Sequence, residues 1–320
     1  MKKIWILCMC IMVVALAGCQ SQDVAKVEPV SETQQEVEVE PVVEAQDMTL
    51  SIGLMPAVDT APILLADKLG YYEEEGVEVS IEIYSNAQDR QSALQTNLID
   101  GAMTDLVAVA TNVNGGFDIK ATMTTDGMFP ILANKESIEK ESITVGMMEV
   151  SVSNFLVDEW LSPDYTIEKV YVNAIPARLE AVASKQLDMG LFPEPVATIG
   201  VMKGLEKLVF EPTDENFPDV MVFTGQAINE KSEAVKAFHK AYNRAVEEIQ
   251  KDEMAARDVL VERIPNIKPE VKDIMLLPTY KMARLPDEAY IQKIIDWTNE
   301  VLELELSVEA SDLVDSAFVE

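Results

Sequence analysis

Between residues 48 and 111, short β-branched runs alternate with apolar residues at helical spacing. Residues 49–53 and 77–84 read as strands, and Ile63, Leu64, the Lys68 stem and Leu69 read as helix. Strand, helix, strand, helix, strand, helix in so short a span implies parallel strands joined by right-handed crossovers, an α/β layer fold. In open sheets of this kind ligands sit beyond the carboxyl ends of the strands, where loops lead into helices. Three loops qualify here: residues 55–60, 85–89 and 104–105. They carry short hydrogen-bonding side chains and no nucleophile paired with a base, a composition that suits binding better than bond-breaking.

The pattern returns further along. Residues 51–55 (Ser-Ile-Gly-Leu-Met) match residues 144–148 (Thr-Val-Gly-Met-Met), and each run leads into a hydroxyl-bearing loop and an apolar helix. Arg90 stands ten residues before Asp100, as Arg178 does before Asp188, with a short strand after each Asp. Two similar α/β lobes are expected. Residues 48–133 and 220–320 would form lobe I, with a helical tail that braces the hinge, and residues 134–219 would form lobe II. Residues 118–133 read as two strands around a turn at 124–127, and residues 219–224 as the strand that returns to lobe I. Helices are expected at 231–251, 254–263, 269–276, 286–302 and 309–315, punctuated by Pro265, Pro278 and Pro286.

Pro62 and Ala66 in the first helix, then KLGYYEEEGVEVSIEIY (68–84) and DRQSALQTNLIDGAMTDL (89–106), resemble the solute-binding proteins of ABC importers. Within that class they resemble the group serving nitrate, sulfonates, taurine and thiamine-pyrimidine precursors. The resemblance covers about residues 48–320 and rests on a helix ending in Gly-Tyr-Tyr, followed by acids and Gly-Val. It implies a periplasmic-binding-protein-like fold of type 2: two lobes, each a mostly parallel sheet flanked by helices, with two hinge crossings and a cleft between them. It says nothing about which solute binds.

Residues 1–18 have the form of a secretory signal: Lys2 and Lys3, an apolar run over 4–15, then Leu16-Ala17-Gly18 before Cys19. The run is short for a membrane span. Leu-Ala-Gly-Cys matches the bacterial lipobox, which implies cleavage before Cys19, lipidation of its thiol and an extracytoplasmic, membrane-anchored protein; a cysteine after an ordinary signal peptide is the alternative. Cys8 and Cys10 lie in the removable segment, so residues 20–320 carry no cysteine and no disulfide framework. Residues 19–47, acidic and without apolar period, are expected to be a disordered tether. The net charge of −31 argues against nucleic acid as a partner. It leaves room for an anionic ligand, held locally by backbone N–H groups at helix N-termini.

Catalytic readings fail on inventory. The one histidine, His239, lies within an amphipathic helix, and no phosphate-cradling glycine motif occurs. No cofactor and no metal site are expected. The candidate ligand residues come from loop position: Met55, Asp59 and Thr60 before the first helix, and Ser151 and Ser153 at the equivalent place in lobe II. Asn86 and Asn173 end matching strands, Thr125 lies in the turn at 124–127, and Asp105, Phe192 and Glu194 follow matching strands. Several of these residue types equally serve as helix N-caps. Residues 192–195 (Phe-Pro-Glu-Pro) resemble the aromatic–Pro–acid–Pro step of pyrimidine-precursor binders, and two pocket carboxylates point away from nitrate. Arg90 and Arg178 would either clamp a carboxylate or sulfonate or sit on the rim, and the rim is favoured. Few aromatics are available for stacking, among them Phe129, Phe192, Tyr84 and Phe117.

The expected function is capture of a small organic solute by a monomer that closes its two lobes and delivers to a permease powered by a separate ATPase. The alternatives are a sensing lipoprotein and, on the same fold, a pyrimidine-precursor enzyme.

Overall fold

The strands form two five-stranded sheets of identical plan. The computed structural model describes residues 47–210 and 216–319. The predicted signal segment, Cys19 and all but the last residue of the predicted tether lie outside the described residues.

The first sheet contains β1 (Thr49–Leu54), β2 (Glu78–Ile83), β3 (Gly101–Asp105), β4 (Ile119–Thr124) and β10 (Asp219–Thr224), in the order β2-β1-β3-β10-β4. The second contains β5 (Ile131–Ala133), β6 (Ser142–Met147), β7 (Thr166–Tyr171), β8 (Met189–Leu191) and β9 (Glu206–Leu208), in the order β7-β6-β8-β5-β9. In each, the first three strands are parallel, as the βα alternation predicts. The fourth strand runs antiparallel, which makes both sheets mixed. The reversed strand is in each case the one that arrives from the other lobe. β5 follows lobe I and enters the second sheet; β10 follows lobe II and enters the first.

This exchange moves the boundary read from the sequence. Residues 131–133, expected in lobe I, pair with β8 and β9 of the second sheet. β4 and β5 are therefore not a hairpin, and the segment between them is a crossing. The return to the first sheet starts at Asp219.

The helices are α1 (Ala61–Lys68), α2 (Tyr71–Glu74), α3 (Ala87–Gln95), α4 (Leu106–Asn114), α5 (Val152–Leu161), α6 (Ile175–Ala183), α7 (Val196–Met202), α8 (Gly225–Glu230), α9 (Ser232–Lys251), α10 (Met254–Arg263) and α11 (Glu288–Val301). The Gly-Tyr-Tyr step has a plain physical basis. Gly70 takes φ +75° just after α1, where a side chain would be strained. That turn sends Tyr72 inward, where its hydroxyl donates to Ile63 O (3.2 Å) and its ring stacks on Phe238 of α9 at 5.3 Å. The apolar stripe of α9 (Val235, Phe238, Tyr242, Ile249) is buried against β1 and α1, each large side chain contributing roughly 1.5–3 kcal/mol.

Two expected helices shrink to single 3-10 turns, at Pro269–Val271 and Ala310–Asp312. Residues 276–286, broken by Pro278 and Pro286, instead form an irregular strap across lobe I. Side chains satisfy its backbone: Lys281 N–H donates to Asp126 (2.8 Å) and Ala283 N–H to Asn243 (2.7 Å). α11 packs on α4 of lobe I and α5 of lobe II, where Phe155 meets Tyr290 and Trp297 edge-on. It thus bridges the lobes beside the crossings.

Candidate functional site

The repeated sequence pattern produces a repeated site. In lobe I, Asp100 accepts the Ser51 N–H (2.8 Å), and in lobe II, Asp188 accepts the Thr144 N–H (3.0 Å). Each aspartate ties the start of the strand after its helix, β3 or β8, to the neighbouring parallel strand, β1 or β6, and the helix, α3 or α6, lies over a glycine of that strand. A Cβ on Gly53 would come within 3.3 Å of Arg90 Cγ, and one on Gly146 within 3.0 Å of Arg178 Cγ. The glycines make room for the arginine stems. Both arginines are buried, at 6% and 1% exposure, and both line one cavity of about 100 Å³ at the junction of the lobes.

Lobe I contributes Met55, Ala57, Ala87, Arg90, Met103, Thr104, Asp105 and Asp219 to that cavity; lobe II contributes Met148, Ser151, Val152, Ser153, Ile175, Arg178, Leu191 and Pro193. Phe129, on the first crossing, closes it. The walls are mainly apolar, and the polar groups converge from both sides.

The two guanidiniums have different neighbours. Arg90 donates through Nη2 to Thr104 Oγ1 (2.9 Å) and feels the carboxyls of Asp105, Asp219 and Asp59. Arg178 donates through Nη1 to Val172 O (2.7 Å) and lies over the Phe192 ring at 5.2 Å. Among the described residues it has no carboxylate partner, and burial alone brings its pKa down to about 10. The Nε of each arginine is buried without a hydrogen bond. A buried donor on a charged group costs free energy until something accepts from it.

Asp105 caps α4 through Ala108 N–H (2.9 Å) and accepts from the Ser151 hydroxyl across the junction (3.3 Å). Ser151 also caps α5 through Ser153 N–H (3.2 Å), and Ser153 Oγ accepts Met148 N–H (3.0 Å). Burial raises the pKa of Asp105, against the lowering effect of these donors and Arg90. Asp219 is raised well above the ordinary carboxylate range, first by burial and then by the carboxyls of Asp59 and Asp105. Asp59, behind it, is raised by burial to about 7.

Of the residues singled out from sequence, Met55, Asp105, Ser151 and Ser153 line the cavity. The others do not. Asp59 and Thr60 are fully buried beneath it; Thr60 Oγ1 donates to Ala57 O (2.7 Å), and the Thr125 hydroxyl donates to Asp59 (3.3 Å). Asn86 caps α3 through Asp89 N–H (2.8 Å), the competing role for such a residue, and Asn173 faces outward. Phe192 is core packing under Arg178. The Glu194 carboxylate is fully buried, bound to Thr198 and Lys207, and so unavailable to a ligand in the cavity.

Sequence reasoning favours the rim for Arg90 and Arg178, reaches Thr104 only as part of a ligand-side loop, and leaves Asp219, Met103 and Met148 out. The shared Arg–Asp spacing, combined with the matching Gly53 and Gly146, was the available signal for the arginines. Asp219 carried none, because it belongs to the exchanged strand.

Two like lobes, each completed by a strand from the other and meeting at a cavity, define the periplasmic-binding-protein fold. The sequence matches the NMT1-like family over residues 44–264, and the chain belongs to that family. A search of the curated proteins finds no match. Solved structures share the fold at low identity. The ligand-binding component of an ABC-type import system from Staphylococcus aureus, with zinc bound, is 16% identical (TM-score 0.73), covering 85% of this chain and 97% of that one. The alkanesulfonate-binding protein SsuA from Xanthomonas axonopodis pv. citri, bound to MOPS, is also 16% identical (TM-score 0.67; 85% and 100%). A Candida albicans gene product described as having the generic periplasmic binding protein fold is 14% identical (TM-score 0.63; 84% and 96%). Among the described residues no cluster of three or more His, Cys, Asp or Glu is arranged to hold a metal, and no helix is long and apolar enough to cross a membrane.

Proposed function

We propose that this protein is the extracytoplasmic solute-binding component of an ABC importer, lipid-anchored at Cys19, which captures a small organic solute of the sulfonate, taurine or pyrimidine-precursor type, an anionic one being favoured, and presents it to a permease. The observation that carries this reading is the pair of buried arginines, one from each lobe, whose Nε donors have no partner at a shared cavity. An acidic group placed there would satisfy both, and would do so only while the lobes are together. The solute then stabilises the closed state by its differential contacts with two moving halves. Arg178 in particular calls for negative charge, since among the described residues no carboxylate supplies it.

The cavity's size fits a solute of few heavy atoms, and the methionines and Phe129 fit a short apolar body. The cavity hydroxyls are engaged within the protein, Ser151 with Asp105, Ser153 with the Met148 N–H and Thr104 with Arg90, an arrangement that suits holding over turnover. The kinship with import-system binding components supports the transport assignment. The test is a thermal-shift screen with ethanesulfonate, taurine and hydroxymethylpyrimidine compounds. One of them at a hundredfold excess over its Kd should stabilise the protein by about 2.7 kcal/mol. Arg178→Met should abolish that shift. A full shift in the variant, or conversion of the compound into a product, would defeat the reading.

A further inference from the structure

We propose that Asp219 meets the bound solute as a neutral carboxylic acid, a hydrogen-bond donor beside Arg90, with Asp59 behind it as the positioning residue that keeps the proton there. The proposal rests on the reading of the cavity as a site for an anion, and it names the group that selects for one.

Counting donors leads to it. Three carboxyls, Asp59, Asp105 and Asp219, gather around one guanidinium, Arg90. Their surroundings differ. Asp105 is well supplied: Ala108 N–H, the Ser151 hydroxyl and Arg90 all stabilise its charge. Asp59 receives the Thr125 hydroxyl on Oδ2, while its Oδ1 is buried with no N–H or O–H donor. Asp219 receives none of the described side-chain or backbone donors, and lines the cavity. The side chains of Asp59 and Asp219 are within hydrogen-bonding reach of one another. A fully buried carboxylate and a half-buried one cannot face each other at this range with both charges in place, so one proton is retained between them. Placed on Asp219, it leaves that group able to donate either to Asp59 or to a solute oxygen in the cavity.

The wider surroundings do not cancel this. Asp126 is neutralised by Arg284 and the Lys281 N–H, and Tyr242 on α9, Tyr280 on the strap and Tyr290 on α11 remain uncharged, held above their ordinary range by burial. Arg90 is the cation whose charge acts on both members of the pair among the interactions of the described residues. With Asp219 neutral, the cavity carries Arg90, Arg178 and Asp105, a net positive site for a monoanion. With Asp219 ionised the site is neutral, and a carboxylate opposes the anion directly. Solute capture therefore takes up a proton when the pair starts without it.

The sign follows. Anion affinity is full where Asp219 is protonated and falls as pH rises through the raised titration of Asp219, which its burial and the carboxyls of Asp59 and Asp105 hold well above the ordinary carboxylate range.

Two measurements test this. Carboxyl-carbon NMR of the full chain labelled at aspartate follows Asp219 without any solute: a titration well above the ordinary carboxylate range is expected, and one within that range overturns the proposal. Calorimetry with ethanesulfonate then reads affinity. In the wild type it should fall as pH rises through the Asp219 titration that the NMR records, and stay level below it. Asp219→Ala should weaken binding about tenfold at pH 6.5, and Asp219→Asn, which keeps a donor, should recover most of that loss and be flat in pH. Asp59→Asn should move the pH dependence downward. An Asp219→Asn variant that fails to bind while the wild type binds shows that a carboxylate is needed, and overturns the proposal. High titration of Asp219 with no ethanesulfonate binding in any variant leaves the proton pair standing and removes the sulfonate class instead.

Discussion

The Ser151 hydroxyl of lobe II lies 3.3 Å from Asp105 Oδ2 of lobe I, and each of these residues also caps the helix that begins beside it. One contact thus ties two helix N-termini together across the cavity. Asp105→Ala and Ser151→Ala should each cost about 1 kcal/mol through the lost cap. The double variant should be less destabilised than their sum by about 0.5–1 kcal/mol, the coupling across the lobes. Urea unfolding of the four proteins measures it; strict additivity would mean the contact does not hold the lobes.

Gly146 under Arg178 was visible in sequence only as part of a repeat. The alternation of strand and helix, the two lobes and the amphipathic α9 were all legible, because periodicity and turn residues are local signals. The exchanged strands were not. β5 and β10 look like any β-branched run, and their sheet membership is decided by chain crossings far away in sequence. For the same reason Asp219 was invisible as a cavity residue. Asp59, Thr60 and Asn86 had the right loop positions, but an Asp, Thr or Asn before a helix reads identically whether it faces a ligand or its own backbone.

Adding a methyl group at Gly146 should displace Arg178. The new Cβ would stand 2.7 Å from Leu187 Cδ1 as well as 3.0 Å from the Arg178 stem. Overpacking of this kind costs typically 1–3 kcal/mol. Gly146→Ala should therefore melt lower and lose most solute affinity, although the alanine itself lies under the site. Retained affinity at a lowered melting point would show that the arginine does not need its fixed stem.

Arg178→Met separates binding from stability. Among the described residues the buried guanidinium has no counter-charge, so its removal should leave the unliganded protein within about 1 kcal/mol of wild type, or more stable. Solute stabilisation should vanish all the same. Loss of several kcal/mol in the unliganded variant would mean that Arg178 serves the fold through Val172 O and Phe192.

His239 gives the protein an acid limit. It is buried among Phe223, Phe238 and Phe318, with Nδ1 2.8 Å from Val235 O, and burial lowers its pKa to about 4. The unfolded chain, near 6.5, binds the proton more readily, so stability from this residue is full above about pH 6.5 and is lost as pH falls toward 4. The total is about 3 kcal/mol. His239→Leu should lose less stability than the wild type between pH 6.5 and 4, read as the difference between two melting curves at each pH. Parallel pH profiles would mean the folded protein accommodates the imidazolium.

Glu194 joins more elements than any ligand role would need. Its carbonyl accepts the Val58 N–H of lobe I (3.0 Å), and its buried carboxylate binds Thr198 N–H and Oγ1 (both 3.0 Å) and Lys207 of β9. Removing the cation leaves a buried carboxylate with hydrogen bonds but no counter-charge. Lys207→Met should cost about 3–5 kcal/mol by that argument. Lys207→Met with Glu194→Gln removes the charge as well as its partner, and should recover much of the loss because glutamine can still accept from Thr198. Chemical denaturation of both variants decides it. A single variant as stable as wild type would mean that water or a proton replaces Lys207 at little cost, and that the junction of the lobes does not depend on this pair.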